Sequence, residues 1–222
     1  MKTVFILRCD GRTQYIQQTI RSVREHIAHP FDRKFIIDDS ADASYAAWLD
    51  DIFPDFERIH HEERRGLGGC FKSALETAAA TDADYAFITE DDMPILDDIN
   101  LEPWAALLDY RPYLAQVGLN RKPLNDDESR EQSVVAAHPH LFTEKRVGSV
   151  VWVETDNLFV FSPSLVPQHA IDAMLGNTTV FLEREITDAL LALEYRFSYW
   201  GTRNDPPLCA HAGTVRSSGY RW

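Results

Sequence analysis

Three consecutive carboxylates, Glu90-Asp91-Asp92, follow the hydrophobic stretch Tyr85-Ala86-Phe87-Ile88-Thr89 and precede Met93-Pro94. A strand ending in this way delivers its acids together to one spot, and Pro94 stops further pairing. Like charges this close raise one another's pKa unless a cation or hydrogen-bond donors neutralise them. Hard divalent ions such as Mg²⁺ or Mn²⁺ take carboxylate and phosphate oxygens together, so metal-assisted phosphate chemistry is what these residue types offer. A solvated acidic turn is the plain alternative. Other residues able to do chemistry stand at comparable places along the chain. Arg8 and Asp10 follow the first apolar run, Asp39 follows the second, and Arg64-Arg65 follow the third. Glu183 and Glu185 open a late helical pattern, and His211 and Arg216 lie in the final stretch.

The elements that must position these residues alternate in type. Residues 3–7 read as a strand, and Ile16, Ile20, Val23 and Ile27 recur at helical spacing over Thr13–His26. Strands are expected at residues 34–37, Glu57–His60 and 84–89, with a short helix at 44–51 and another after Gly66-Leu67-Gly68-Gly69. This β-α-β order predicts one α/β domain with a mainly parallel central sheet flanked by helices. Ligands of such sheets sit beyond the carboxyl ends of the strands, where Arg8, Asp10, Asp39 and Glu90 to Asp92 converge. The second half is less regular. Residues 114–119 and 150–161 read as strands, 122–146 as a polar connection, 183–195 as a helix, Arg196–Trp200 as a last strand and 209–222 as a flexible tail.

The strand-end acids resemble the metal-diphosphate motif of GT-A glycosyltransferases, and their E-D-D form is similar to that of N-acetylglucosaminyltransferase I. That resemblance implies Asp92 as the direct metal ligand, with Glu90 and Asp91 on donor sugar and ribose. The opening Leu7-Arg8-Cys9-Asp10-Gly11-Arg12 is similar to that family's first loop, which assigns Arg8, Asp10 and Asp39 to the nucleoside. For Asp39, capping of the helix beginning near Asp42 remains the structural alternative. Arg65, before a Gly and a helix, matches a basic residue lining the nucleotide pocket. Glu183-Arg184-Glu185-Ile186, with Leu190, Leu191 and Glu194-Tyr195, resembles the catalytic helix of inverting family-2-like transferases. It gives Glu183 the place of the catalytic base, with Glu185 as its rival and a favourable helix-start charge as the structural alternative. Two departures stand out, Glu for the usual Asp and Glu194 for the usual Gly. His211 matches a late metal-binding histidine and Arg216 a basic tail over the departing diphosphate.

The resemblance implies inverting transfer of a sugar from a nucleoside-diphosphate donor, a UDP-sugar being expected, to a hydroxyl acceptor. That acceptor is a glycan, a protein, a small molecule or, less expected, a modified DNA base. The cofactor is Mn²⁺ or Mg²⁺. Residues 1–92 form the expected nucleotide-binding half and 93–222 the acceptor and catalytic half. A net charge of −13 opposes non-specific nucleic-acid or anionic-membrane binding. Three scattered cysteines, the short apolar opening before Arg8 and the lack of about 20 consecutive apolar residues predict a cytoplasmic protein with no membrane partner. Gly66 to Ser73 superficially resembles a phosphate loop, but Phe71 stands where that loop needs Gly before Lys. A sugar nucleotidyltransferase, which wants a Gly-rich first loop, and a non-catalytic nucleotide-sugar or glycan-binding module are the remaining alternatives.

Overall fold

Alternation along the first strand sets the architecture. In the computed structural model, which describes residues 1–119, 135, 138–161 and 163–213, every position of β1 (Thr3–Cys9) is buried. Phe5, Leu7 and Cys9 point to one side of the sheet and Val4 and Ile6 to the other, as a period of two requires. The first side is covered by α1 (Thr13–His26), α2 (Ala43–Ile52) and α4 (Glu102–Tyr110), through Ile16, Ile20, Tyr45, Leu49 and Trp104. The second is covered by α3 (Gly66–Ala79), α5 (Gln168–Asn177) and α6 (Glu183–Ala192), through Phe71, Leu75, Ile171, Met174 and Leu190. A strand buried on both faces must be apolar throughout, and β1 meets that demand until Arg8.

The described residues form one nine-stranded sheet in the order β3-β2-β1-β4-β8-β5-β9-β7-β6. Its members are β2 (Arg33–Asp38), β3 (Glu57–His60), β4 (Tyr85–Glu90), β5 (Leu114–Gly118), β6 (Thr143–Val147), β7 (Val150–Thr155), β8 (Ser164–Pro167) and β9 (Arg196–Trp200). The sheet is mixed where the β-α-β rhythm predicts a mainly parallel one. Pairings from β3 to β4 are parallel, as is β5 with β9, but β8 runs antiparallel between β4 and β5, and β6 and β7 close the edge as a hairpin. Four residues of β8 are too few to show a periodicity of their own. No helix among the described residues is long and apolar enough to cross a membrane.

The strand expected over residues 150–161 stops at Thr155. Asn157 N–H turns back onto Thr155 Oγ1. Beyond it, the backbone donors of Phe159 and Phe161 go to Thr187 Oγ1 and Glu183 Oε1. Side chains of α6 thus take the hydrogen bonds that a neighbouring strand would have taken. The helix expected over 183–195 ends at Ala192. Tyr195 N–H reaches Leu190 C=O and Glu194 N–H reaches Leu191 C=O, a reciprocal pair that closes the helix with Glu194 left-handed at φ 64°. Glycine adopts this conformation without the Cβ penalty of about 1–2 kcal/mol. Glu194→Gly is therefore expected to stabilise the fold by about 1 kcal/mol, read as a higher urea midpoint at unchanged slope; an equal or lower midpoint would refute the account.

Candidate functional site

Register brings the charged residues together. β1 and β4 pair in parallel with Arg8 beside Glu90, and Asp91 N–H donates to Arg8 C=O at 2.9 Å. Helix α1 fixes the same turn from behind. Thr19 Oγ1 donates to Asp91 C=O at 2.7 Å, and Ser22 Oγ accepts from Ile95 N–H at 2.8 Å. Two small polar residues on an otherwise apolar helix face thereby hold the acidic turn in place.

Arg8 and Glu90 form a pair of 2.8 Å. The Arg8 guanidinium is buried against the rings of Phe71 and Phe161, 4.9 and 4.6 Å from their centroids, while the two rings stack on each other at 4.3 Å. Ring faces attract the cation but accept none of its donors conventionally, and Arg8 Nε and Nη1 have no hydrogen-bond partner. Burial pushes the Glu90 carboxyl up to about 7; Arg8 draws it down, while Asp92 and Glu183 add to the rise.

A second arginine binds the three aspartates. Arg12 Nε meets Asp10 Oδ1 at 2.8 Å, Nη1 meets Asp92 Oδ2 at 2.7 Å, and Nη2 meets Asp91 Oδ1. Burial opposes the charge on Arg12, but Asp91, Asp92 and Asp10 outweigh it and raise the group further. Burial pushes the Asp91 carboxyl well above the usual range, with Arg12 pulling the other way. Asp10, Asp91 and Asp92 are 4%, 1% and 3% exposed, and each retains one oxygen without a hydrogen-bond partner: Asp10 Oδ2, Asp91 Oδ2 and Asp92 Oδ1.

The segment from Leu208 runs antiparallel along the acidic turn. Leu96 N–H donates to Leu208 C=O, Ala210 N–H to Pro94 C=O, and Ala212 N–H to Asp92 C=O. This places His211 Nε2 at 3.6 Å from Asp92 Oδ2. A Cβ on Gly213 would stand 2.2 Å from that same oxygen and 3.1 Å from Arg12 Nη1, so only glycine passes there undisturbed. The Asp92 carboxylate and the His211 ring are a donor set that suits a borderline-hard divalent ion. Among the described residues, no group of three His, Cys, Asp or Glu side chains has a metal-holding arrangement, so a cation here would complete its shell from oxygens of a bound ligand.

Asp39 lies deeper. Its carboxylate accepts from His61 Nδ1 at 2.8 Å, Arg65 N–H at 2.8 Å and Gly66 N–H at 2.9 Å. It therefore caps α3, whereas the cap of α2 is Asp42, which accepts from Ser44 and Tyr45 N–H. Beside it, His60 to Arg65 line a cleft of about 500 Å³. The Arg65 guanidinium reaches back to Ser73 Oγ, and Arg64 donates to Asp10 C=O across the first loop.

Glu183 stands at the start of α6, its Oε1 accepting from Phe161 N–H at 2.7 Å, with Glu90 in its electrostatic surroundings. The close approach of α3 fixes this entry, since a Cβ on Gly68 would stand 2.9 Å from Phe181 C=O. Glu185 is exposed and, about 200° further around the helix, faces elsewhere. Arg216 lies outside the described residues. The structure thus gathers Arg8, Asp10, Glu90, Asp91, Asp92, Glu183 and His211, sets Asp39 and Arg65 at the adjoining cleft, and leaves Glu185 apart. Sequence reading misses Arg12 and Gly213. The signal for Arg12 was present, as a lone cation two residues after Asp10 in the loop expected to face the acids.

Comparison with known proteins agrees with this geometry. Residues 6–166 match the family described as Glycosyl transferase family 2. No curated protein sequence matches the chain. Among solved structures, S. aureus TarS 1-349 in complex with UDP-GlcNAc is 14% identical with a TM-score of 0.61, over 100% of this chain and 62% of that one. Mannosyltransferase PcManGT from Pyrobaculum calidifontis, in complex with GDP-Man and Mn²⁺, is 16% identical with a TM-score of 0.63, over 99% and 58%. GalNAc-T7 with UDP, GalNAc and Mn²⁺ is 10% identical with a TM-score of 0.62, over 95% and 43%. The chain spans about three fifths of the length of the first two. Such identities establish the shared GT-A fold alone; the match over residues 6–166, which runs from within β1 through the acidic turn into β8, carries the assignment further: this chain belongs to glycosyl transferase family 2.

Proposed function

We propose that the chain transfers a sugar from a nucleoside-diphosphate donor, a UDP-sugar first, to a hydroxyl acceptor, with inversion and with a divalent ion. The observation that carries this reading is the convergence of Asp10, Asp91 and Asp92 at the ends of β1 and β4, each nine-tenths buried with one oxygen unpartnered, beside His211. Buried polar atoms are rarely left unpaired without a reason, and three of them, on the carboxylates that share Arg12, fit a site made for a cation and its ligand. Structural relatives crystallised with UDP-GlcNAc, with GDP-Man and Mn²⁺, and with UDP, GalNAc and Mn²⁺ support the class.

In this reading Asp92 and His211 hold Mn²⁺ or Mg²⁺, which supplies positive charge to the departing diphosphate. Residues 1–92 carry the nucleotide. Asp39 shapes the cleft by fixing the β3–α3 loop, Asp10 and Arg65 face the nucleoside, and Arg8, held by Glu90, forms the floor. Glu183 accepts the acceptor's hydroxyl proton from the start of α6, where its Oε1 is oriented by Phe161 N–H. Glu185 is displaced from that role by its position. Arg216 is retained as the expected contact to the diphosphate from outside the described residues.

Three measurements test this. UDP with Mn²⁺, at about 100 times its dissociation constant, should stabilise the protein by roughly 2.7 kcal/mol in thermal shift, and Asp92→Asn should abolish the Mn²⁺-dependent part; no shift with any nucleoside diphosphate would sink the reading. Glu183→Gln should lower kcat by about 10²–10⁴-fold at nearly unchanged donor affinity, whereas an equal loss from Glu185→Gln alone would move the base to Glu185. Gly213→Ala, which sets a methyl against Asp92 Oδ2, should weaken Mn²⁺-dependent nucleotide binding at least about tenfold while the apo protein melts nearly as before; unchanged binding would show that the tail does not constrain the acid.

A further inference from the structure

The carboxylates expected to meet a metal ion already hold a cation. All three types of guanidinium nitrogen on Arg12 are engaged, each with a different aspartate: Nε with Asp10, Nη1 with Asp92 and Nη2 with Asp91. The Asp92 oxygen that Arg12 holds, Oδ2, is also the one nearest His211 Nε2 at 3.6 Å. The other oxygen of each aspartate is buried and unpartnered. Three carboxylates share one guanidinium, so the positive charge held there falls short of the negative charge the acids can carry. An anionic diphosphate entering without an added cation would meet repulsion from those acids, and a bare divalent ion would meet Arg12 on the ligand oxygen of Asp92.

We infer that Arg12 is a positioning residue that acts as resident counter-cation, holding the aspartates in place and making metal binding depend on the donor diphosphate. This rests on the proposed nucleotide-sugar reading of the site. With the guanidinium on Asp92, the free protein has poor affinity for a bare divalent ion. A diphosphate offers Arg12 new anionic oxygens of the kind guanidinium groups prefer, and so lowers the cost of releasing Asp92 Oδ2. Metal and nucleotide then bind with positive coupling. By linkage the factor is the same whichever binds first.

The arrangement predicts opposite signs for two affinities when the charge is removed. In Arg12→Gln, bare Mn²⁺ meets three carboxylates without a competitor and should bind at least about tenfold more tightly, whereas metal-free UDP should bind more weakly. The coupling between them, measured as the ratio of Mn²⁺ dissociation constants without and with UDP, should fall by a similar factor. A role limited to holding the loop together would weaken both ligands and could not tighten Mn²⁺.

The experiment is an electron paramagnetic resonance titration of the free-Mn²⁺ signal, with and without UDP, on wild type, Arg12→Gln and Arg12→Lys. Circular dichroism melts accompany it to confirm folding. Arg12→Lys keeps the charge but has one donor centre for three carboxylates, so its bare-Mn²⁺ affinity should lie between the other two. Folded Arg12→Gln that binds bare Mn²⁺ no more tightly than wild type overturns the inference. Should the Gln variant fail to fold, an Arg12→Lys protein with wild-type affinity and coupling overturns it equally. Wild type that binds neither UDP nor Mn²⁺ under any combination would instead sink the nucleotide-sugar reading, a different result from loss of coupling alone.

Discussion

Acids at the end of a strand can stay together only where something positive holds them, and in this chain the first strand supplies it to the fourth. The parallel register that sets Arg8 beside Glu90 is the constraint on which the site depends. A slip of one residue would reverse the facing of every side chain on β4. Glu90 would leave the buried guanidinium, and the acidic turn would lose the backbone bond from Asp91 to Arg8. Thr19 and Ser22 then hold the turn against α1, so the helix that covers one face of the sheet also fixes the acids' direction. Two arginines divide the charge between them, with Arg8 taking Glu90 on the α3 side and Arg12 taking the three aspartates at the strand ends.

The Arg8–Glu90 pair is costly in itself, since a buried guanidinium and a mostly shielded carboxylate lose hydration that their mutual attraction only partly restores. The raised Glu90 carboxyl is the mark of that cost, because burial outweighs even an arginine at 2.8 Å. Stacking between Phe71 and Phe161 explains how the pair persists. One ring comes from α3 and the other from the segment after β7; they stack on each other at 4.3 Å and present their π systems to the guanidinium. The same segment gives its Phe161 N–H to Glu183. A single buried cation therefore links the acidic turn, the nucleotide-side helix α3 and the proposed base on α6 through contacts that leave little freedom.

Much of this was legible in the sequence up to Asp92. The strands there are long, apolar and separated by amphipathic helices, so local periodicity and tertiary position agree. Legibility falls where side chains replace strands as hydrogen-bond partners. Phe159 and Phe161 look like strand residues because they are apolar and buried, yet their N–H groups go to Thr187 and Glu183, which stand more than twenty residues away. The short β8 and its reversed direction are fixed by neighbours on both sides and carry no pattern of their own. Asp39 stands out at a strand end in the sequence, but which helix it caps depends on how the β3–α3 loop returns, a contact with no local pattern. Arg12 escaped notice for a related reason: its three partners come from two strand ends that are adjacent only in space.

The geometry of His211 shows how the donor end is built to act as a unit. Its backbone neighbours bond to Pro94 and Asp92 rather than to the sheet, so the histidine is carried by the same turn that carries its acidic partner. A displacement of the turn moves both groups together and preserves their relation. Gly213 continues this by lying too close to Asp92 and Arg12 for any side chain. Glu183, in contrast, is placed by α6 and by the segment after β7, elements that share no backbone hydrogen bond with the acidic turn among the described residues. The acidic turn with His211 and the helix start with Glu183 thus belong to two separately supported frames. They meet through Arg8 and its aromatic neighbours, which makes that buried cation the place where the spacing between the acidic turn and Glu183 is set.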